Sequence, residues 1–264
     1  MRPDVLVVGA GATGLTLALQ ARRHGVTVRI VDRRLDEVRP SRALVLHART
    51  LEVLRPLGVV PALLARAETA PQARLHFGSR VVSARLTRFG WPDTAYPHLT
   101  VIRQMDVEAV LARQVRDQGI EIERGTELVD LRDGGDLGAG VQAVLGSSRG
   151  IEQATCRFLV GCDGARSTVR ARTGIPWRGR PYRQEVVLAD LELTGDLAAG
   201  VAHVAVARRG LLFVFALGER ATWRLLATRP AGDRLPAAGL DAPVERNELQ
   251  GLLDDAGRRL GATD

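Results

Sequence analysis

Three glycines spaced as Gly9-x-Gly11-x-x-Gly14 follow the apolar run Val5-Leu6-Val7-Val8, and this pattern suits chemistry with a phosphate. Glycine at the first position permits a tight turn. At the second it lets the backbone approach a pyrophosphate, and at the third it lets the following helix pack on the strand. Thr13 lies between the second and third glycines, at a helix start whose amides carry partial positive charge. Asp32 ends the next apolar stretch, Val26 to Val31, about twenty residues on, where a carboxylate accepts from ribose hydroxyls. It disfavours a 2′-phosphate, although Arg33 beside it adds a cation. Glycine turns alone are common, but strand, glycines, helix, strand and terminal acid in this order point to a dinucleotide site.

A second segment of chemical interest runs Leu159-Val160-Gly161-Cys162-Asp163-Gly164-Ala165-Arg166-Ser167-Thr168-Val169-Arg170. Gly164 permits a sharp turn, Asp163 can accept from backbone amides or from a ligand, and Ser167 with Arg170 would tie a helix start to neighbouring chain. With both segments present, the chain resembles the FAD-dependent aromatic hydroxylases of the p-hydroxybenzoate and phenol hydroxylase type. In that family the Asp-Gly segment contributes to FAD and NAD(P)H recognition, so the resemblance implies cofactor contacts at Asp163 and Gly164. The segment Ser41 to Leu54 is similar to the family's next element, and Arg42 matches its pyrophosphate arginine. A guanidinium fork suits that role. Gln104-Met105-Asp106-Val107-Glu108 resembles the helix whose leading glutamine contacts the cofactor, which implies that role for Gln104. Ala12 stands where relatives often carry proline. Nothing after Leu240 resembles the family's later Gly-Asp flavin motif, so a fragment or truncated relative is expected.

These residues need a frame. The expected fold class is α/β: a Rossmann-like FAD-binding domain with an inserted, mostly antiparallel β-sheet substrate domain. The nucleotide domain is expected to be discontinuous, 1–71 and 99–174. The remainder, 72–98 and 175–264, forms the substrate sheet plus a helix, incomplete at its C-terminal end. Ala73 to Gly78 and Val81 to Leu86 read as a hairpin, and Gly134 to Gly140 as a hairpin tip. Strands are expected at Val186 to Leu193, Val201 to Ala207, Leu211 to Leu217 and Thr222 to Thr228, with Gly210 and Gly218 in turns. The helical spacing of Val107, Val110, Leu111 and Val115 marks core, and a last helix is expected over Val244 to Leu260.

Composition sets outer limits. The 264 residues carry a net charge of +7, and every basic side chain other than histidine is arginine. The arginines are scattered among acids and aromatic residues make up only 4%, so a nucleic-acid groove with stacking platforms is not expected. No apolar run is long enough to span a bilayer. Cys156 and Cys162, six apart on an extended segment, would lie about 20 Å from one another, too far for a disulfide. A cytoplasmic location is expected. Five histidines occur singly, with no metal-ligand spacing, and a Gly-x-Ser-x-Gly elbow and a Walker loop are both absent.

The resemblance implies a monooxygenase that takes electrons from NADH or NADPH, uses O2 and hydroxylates an aromatic or polyketide-like small molecule. The cofactor carries such chemistry while the protein orients and excludes water, so no catalytic residue is named. Trp91, Tyr96, Tyr182 and Trp223 are candidates for pocket lining. Two other readings stay open at this stage. One is a non-catalytic remnant with weak or no FAD binding, and the other is a nicotinamide dehydrogenase using only the first motif.

Overall fold

A computed structural model of the chain describes residues 2–36, 45–69, 72–77, 80–85, 93–98, 100–135, 139–180, 184–193, 200–207, 210–216, 222–230, 246–247, 249–251 and 254. In chain order the elements are β1 (Val5–Val8), α1 (Ala12–Arg23), β2 (Val28–Asp32), β3 (Val45–Leu46), α2 (Ala48–Leu54), a 3₁₀ turn (Arg55–Leu57) and α3 (Val60–Leu64). They continue with β4 (Glu68–Thr69), β5 (Gln72–Phe77), β6 (Arg80–Arg85), β7 (Thr100–Val101), α4 (Gln104–Asp117), β8 (Ile122–Arg124), β9 (Glu127–Asp133) and β10 (Val141–Ser147). The last are β11 (Gly150–Cys156), β12 (Phe158–Gly161), α5 (Thr168–Thr173), β13 (Gln184–Glu192), β14 (Val201–Ala207), β15 (Gly210–Ala216) and β16 (Thr222–Pro230). The chain divides into two compact units. One comprises Met1–Ala43, Val53–Ala65 and Arg103–Gly179, the other Leu44–Glu52, Arg66–Ile102 and Arg180–Asp264.

The first unit is built on a parallel sheet of order β12-β1-β2-β8. Parallel neighbours need crossover connections, which α1 supplies between β1 and β2. Alternation along the strands sends Leu6, Val8 and Val31 to one face, where they pack with Leu128, Ala143, Leu145, Ala154 and Cys156 of the antiparallel meander β9–β10–β11. The intervening residues Val7 and Ile30 are fully buried on the opposite face, under α1. That helix buries Gly14, Leu15, Ala18 and Leu19, and Arg22 and Arg23 in its last turn complement the dipole. Helix α4 buries Val107, Val110, Leu111 and Val115 as the spacing predicts, and with them Glu108. β9 and β10 pair antiparallel on either side of Gly134 to Gly140, of which residues 136–138 lie outside the described residues.

The second unit contains a six-stranded sheet of order β13-β16-β15-β14-β5-β6. The hairpin β5–β6 and the strands β13 to β16 fall close to their expected places. The sheet is antiparallel throughout except where β14 runs parallel to β5. Its core joins Val187, Ala205, Leu212, Val214, Trp223, Leu225 and Ala227. One expectation is corrected: Gly210 is not a turn residue but the first residue of β15, paired with Ala207. Its φ is +153°, and a Cβ there would meet the Thr228 carbonyl oxygen, so only glycine can enter the ladder there. Gly218 lies outside the described residues, as does most of the helix expected over Val244 to Leu260. Its described residues 246–247, 249–251 and 254 are helical. Among the described residues, no helix is long and apolar enough to cross a membrane.

Candidate nucleotide site

The carboxyl ends of β12, β1 and β2 lie side by side in the first unit, and each leads into one of the motif turns. Gly161 is in register with Val8, so the chain after β12 continues alongside the glycine turn. Cys162 N donates to Val8 O at 2.7 Å, and Gly9 N donates to Val31 O at 2.8 Å. Gly9 adopts φ +105°, and a Cβ on it would stand 2.4 Å from the Cys162 carbonyl oxygen. The glycine turn and the Asp163-Gly164 turn therefore touch, and no side chain fits between them. In an open parallel sheet this is the crevice where nucleotides bind.

The three glycines have different neighbours. A Cβ at Gly14 would lie 1.9 Å from Gly9 O and 3.2 Å from Val7 Cγ1, so this glycine seats α1 on the sheet. Gly11 is the N-cap of α1 at φ −80° and ψ −179°, and a Cβ there would meet only Glu108 Oε1, at 3.6 Å. Thr13 is exposed in the first turn. Gly11 has no side chain to cap this helix start, and Ala12 N donates to Glu108 Oε1 at 3.3 Å, which leaves the amides of the next residues for an anion.

Asp32 is 5% exposed at the end of β2, and its carboxylate is heavily engaged. Oδ2 accepts from Ala10 N at 2.7 Å, which ties the acid to the glycine turn. Oδ1 accepts from Arg34 N at 2.9 Å and Arg34 Nε at 3.2 Å, while Arg34 Nη2 donates to Oδ2 at 3.2 Å. Arg124, in register with Asp32 on β8, brings Nη1 to 3.7 Å. Burial pushes the Asp32 carboxyl up. The bonds from Arg34 and Ala10, with the Arg34 charge, outweigh that and hold it below the usual carboxylate value. Two guanidinium groups thus face one acid. Arg34 Nη1 and Arg124 Nε and Nη1 are buried donors with no hydrogen-bond partner among the described residues. Arg33 is exposed, and Arg42 lies outside the described residues.

Asp163 caps α5. It accepts from Ser167 Oγ at 2.6 Å, Thr168 N at 2.6 Å and Val169 N at 3.2 Å, while Ser167 Oγ accepts from Arg170 N at 3.0 Å. Gly164 is exposed at φ +80°, the conformation its turn requires. Burial and the Asp163 charge push the Cys162 thiol up, and both Cys156 and Cys162 are free. Gln104 opens α4 and donates from Nε2 to Glu108 Oε1 at 2.7 Å. The sequence reading passed over Glu108, Arg34 and Arg124. Glu108 did leave a signal, a carboxylate four residues after Gln104 inside an apolar helix stripe. Arg34 and Arg124 left none, because their meeting depends on the β2–β8 pairing.

A turn in which Gly9 and Gly14 leave no room for a Cβ, the helix start that follows it and a surplus of buried guanidinium donors fit the diphosphate and ribose of a dinucleotide. Residues 2–219 match the model of a family described as FAD binding domain. The 6-methylpretetramide 4-monooxygenase of Streptomyces rimosus is 36% identical over 251 residues, covering 95% of this chain and 43% of that enzyme. A rifampicin monooxygenase of Streptomyces venezuelae is 38% identical over 196 residues, covering 73% of this chain and 38% of its own length. Among solved structures, a ternary complex of aklavinone-11 hydroxylase with FAD and aklavinone superposes with a TM-score of 0.77 at 29% identity, over 98% of this chain and 50% of that one. The chain spans about half the length or less of the curated relatives it matches.

Proposed function

The chain belongs to the FAD-binding domain family of flavin-dependent aromatic hydroxylases, and from that premise we propose that its first unit holds FAD for a monooxygenase acting on an aromatic or polyketide-like small molecule. The observation that carries this reading is the contact between the two motif turns, where Gly9 abuts the Cys162 backbone at the carboxyl edge of the sheet. A site using the first motif alone, as in a nicotinamide dehydrogenase, would not need the Asp163 turn beside it.

In this reading Gly11 and the first amides of α1 receive the pyrophosphate, with Arg42 as a further cation on it. The Asp32–Arg34–Arg124 cluster faces the adenosine ribose. There the hydroxyls meet guanidinium donors, because the Asp32 carboxylate is already taken by Ala10 and Arg34. Gln104 and the Asp163-Gly164 turn border the same crevice. Thr13 and Arg33 are both exposed. When bound, FAD would supply the redox chemistry, with NADH or NADPH as electron donor and O2 as co-substrate. The residues of this chain bind it, orient it and keep water from the sheet edge. The sheet of the second unit serves as the substrate domain. The names of the relatives, which specify tetracycline-type and rifampicin substrates, support a polycyclic aromatic substrate. Two free cysteines support a reducing, cytoplasmic setting.

Titration of the purified chain with FAD tests this. The expected result is saturable quenching of flavin fluorescence, near one FAD per chain, with a raised melting temperature. A chain that is stabilised by NAD and indifferent to FAD would overturn the reading.

A further inference from the structure

We infer that the face of the second unit's sheet that carries Phe213, Phe215 and Asp190 receives the aromatic substrate, with the Asp190 carboxylate as the acceptor that selects a ring hydroxyl. This rests on the aromatic-substrate reading above and names the residues that serve it. Directly opposed residues of a sheet share a face, and successive residues alternate. Asp190 pairs with Arg224 and Arg224 with Phe215, so the three form one row across β13, β16 and β15. The next row on that face is Leu188, Leu226, Phe213 and Val204. The opposite face is the buried core of Val187, Val214, Trp223 and Leu225, with Leu249 packed against it. An antiparallel sheet with one half-covered face normally sets polar side chains there. Here Val186 is 59% exposed, Leu211 is exposed too, and Phe213 and Phe215 are half-buried. An apolar surface of this kind marks a binding face.

Apolar contact alone would take any flat molecule, and the ion pair adds a direction. Arg224 donates from Nε to Asp190 Oδ1 at 2.7 Å and from Nη2 to Oδ2 at 2.8 Å. That planar fork fixes the carboxylate. The Arg224 side chain is buried, whereas that of Asp190 is 40% exposed, and each carboxylate oxygen keeps a lone pair outside the fork. A carboxylate only accepts, so the group it recognises is a donor, which on an aromatic ring is a phenolic O–H. The Phe213 and Phe215 rings lie within 7° of parallel with centroids 6.3 Å apart. A flat ring system that stacks on one is therefore aligned with the other. Two ring faces and one fixed acceptor together describe a fused aromatic that carries a hydroxyl.

The probes are 2-naphthol and 2-methoxynaphthalene, which share a ring system and differ in whether the oxygen carries a proton. Binding to the full chain is read by naphthalene fluorescence, with the melting temperature of each variant alongside. The wild type should hold 2-naphthol about tenfold more tightly than the ether. Asp190→Asn presents a donor where an acceptor stood, and 2-naphthol should fall to the affinity of the ether. Phe213→Leu should weaken both probes alike, by about two- to tenfold, and keep their ratio. A wild type indifferent to the hydroxyl, a D190N chain that keeps the preference, or a Phe213→Leu chain that binds both probes at full strength overturns the assignment. Displacement of 2-naphthol by ADP also overturns it, since the probe would then occupy the nucleotide crevice. Should D190N fail to fold, the wild-type ratio and Phe213→Leu decide. FAD titration is a separate measurement: a chain that takes no FAD sinks the cofactor reading, while the naphthol ratios still decide this one.

Discussion

Gly11 and Gly14 belong to one motif, yet the structure assigns them separable jobs, and alanine at each should fail differently. At Gly14 the added carbon would sit 1.9 Å from Gly9 O, roughly 1.5 Å inside an ordinary contact of about 3.5 Å. The obstacle is backbone at a turn that is itself wedged against Cys162, so it cannot swing aside. Overpacking of that kind costs about 3 kcal/mol, which lowers the melting temperature of a chain this size by roughly 6–12 °C. At Gly11 the backbone already has φ −80°, which alanine accepts, and the nearest atom is Glu108 Oε1 at 3.6 Å. Gly11→Ala should leave the FAD-free chain unchanged or steadier by up to about 1 kcal/mol, because the unfolded state loses freedom. Its methyl does hold a pyrophosphate off the amides. Forfeiting one charged hydrogen bond of about 1.5–3 kcal/mol weakens FAD roughly ten- to a hundredfold. Melting of the FAD-free variants beside fluorescence titration with FAD gives both quantities. A Gly11→Ala chain that binds FAD at full strength, or a Gly14→Ala chain that melts with the wild type, would refute the division.

Asp163→Ala should weaken FAD and also cost about 1–2 kcal/mol of stability, since the carboxylate caps α5 through Ser167, Thr168 and Val169. Urea unfolding without FAD checks this, and an unchanged midpoint would mean the cap is dispensable. In the second unit, His76 is buried with Nε2 3.3 Å from His203 Nδ1, and burial, with the Arg74 charge, pushes its imidazole below the ordinary value. The unfolded chain therefore binds the proton first, and stability should fall as pH drops below about 6.5. Urea midpoints at pH 7.5 and 5.5 should show a drop that His76→Leu lessens, and an equal drop in both proteins would clear His76.

The local half of this architecture was legible and the non-local half was not, for a physical reason. An apolar run of four residues, glycines at fixed spacing and an acid after the next strand are constraints within about thirty residues, so β1, α1 and β2 could be read directly. The hairpin β5–β6 and the strands β13 to β16 were legible from alternation, although Gly210, expected in a turn, proved to be the first residue of β15. What the chain does not write locally is which strand lies beside which. β12 joins β1 although its residues are some 150 positions away (Val5 with Phe158 in register), and β14 takes a parallel place beside β5. Those pairings decide the chemistry. They bring Arg124 to Asp32 and set the Asp163 turn against Gly9.

The same limit explains why motif residues carry mixed duties. A motif records that a residue type is required and is silent on whether packing or ligand requires it. Gly9 and Gly14 are required by the protein's own backbone, at contacts of 2.4 Å and 1.9 Å that no Cβ could survive. Asp163 is held by its own helix start, and Asp32 by Ala10 and Arg34. Gly11 has an unstrained backbone, and a Cβ there would make only an ordinary contact with Glu108 Oε1 at 3.6 Å, so nothing among the described residues demands glycine there. In the proposed FAD reading that freedom answers to an approaching pyrophosphate, the partner whose geometry needs a bare backbone at that point.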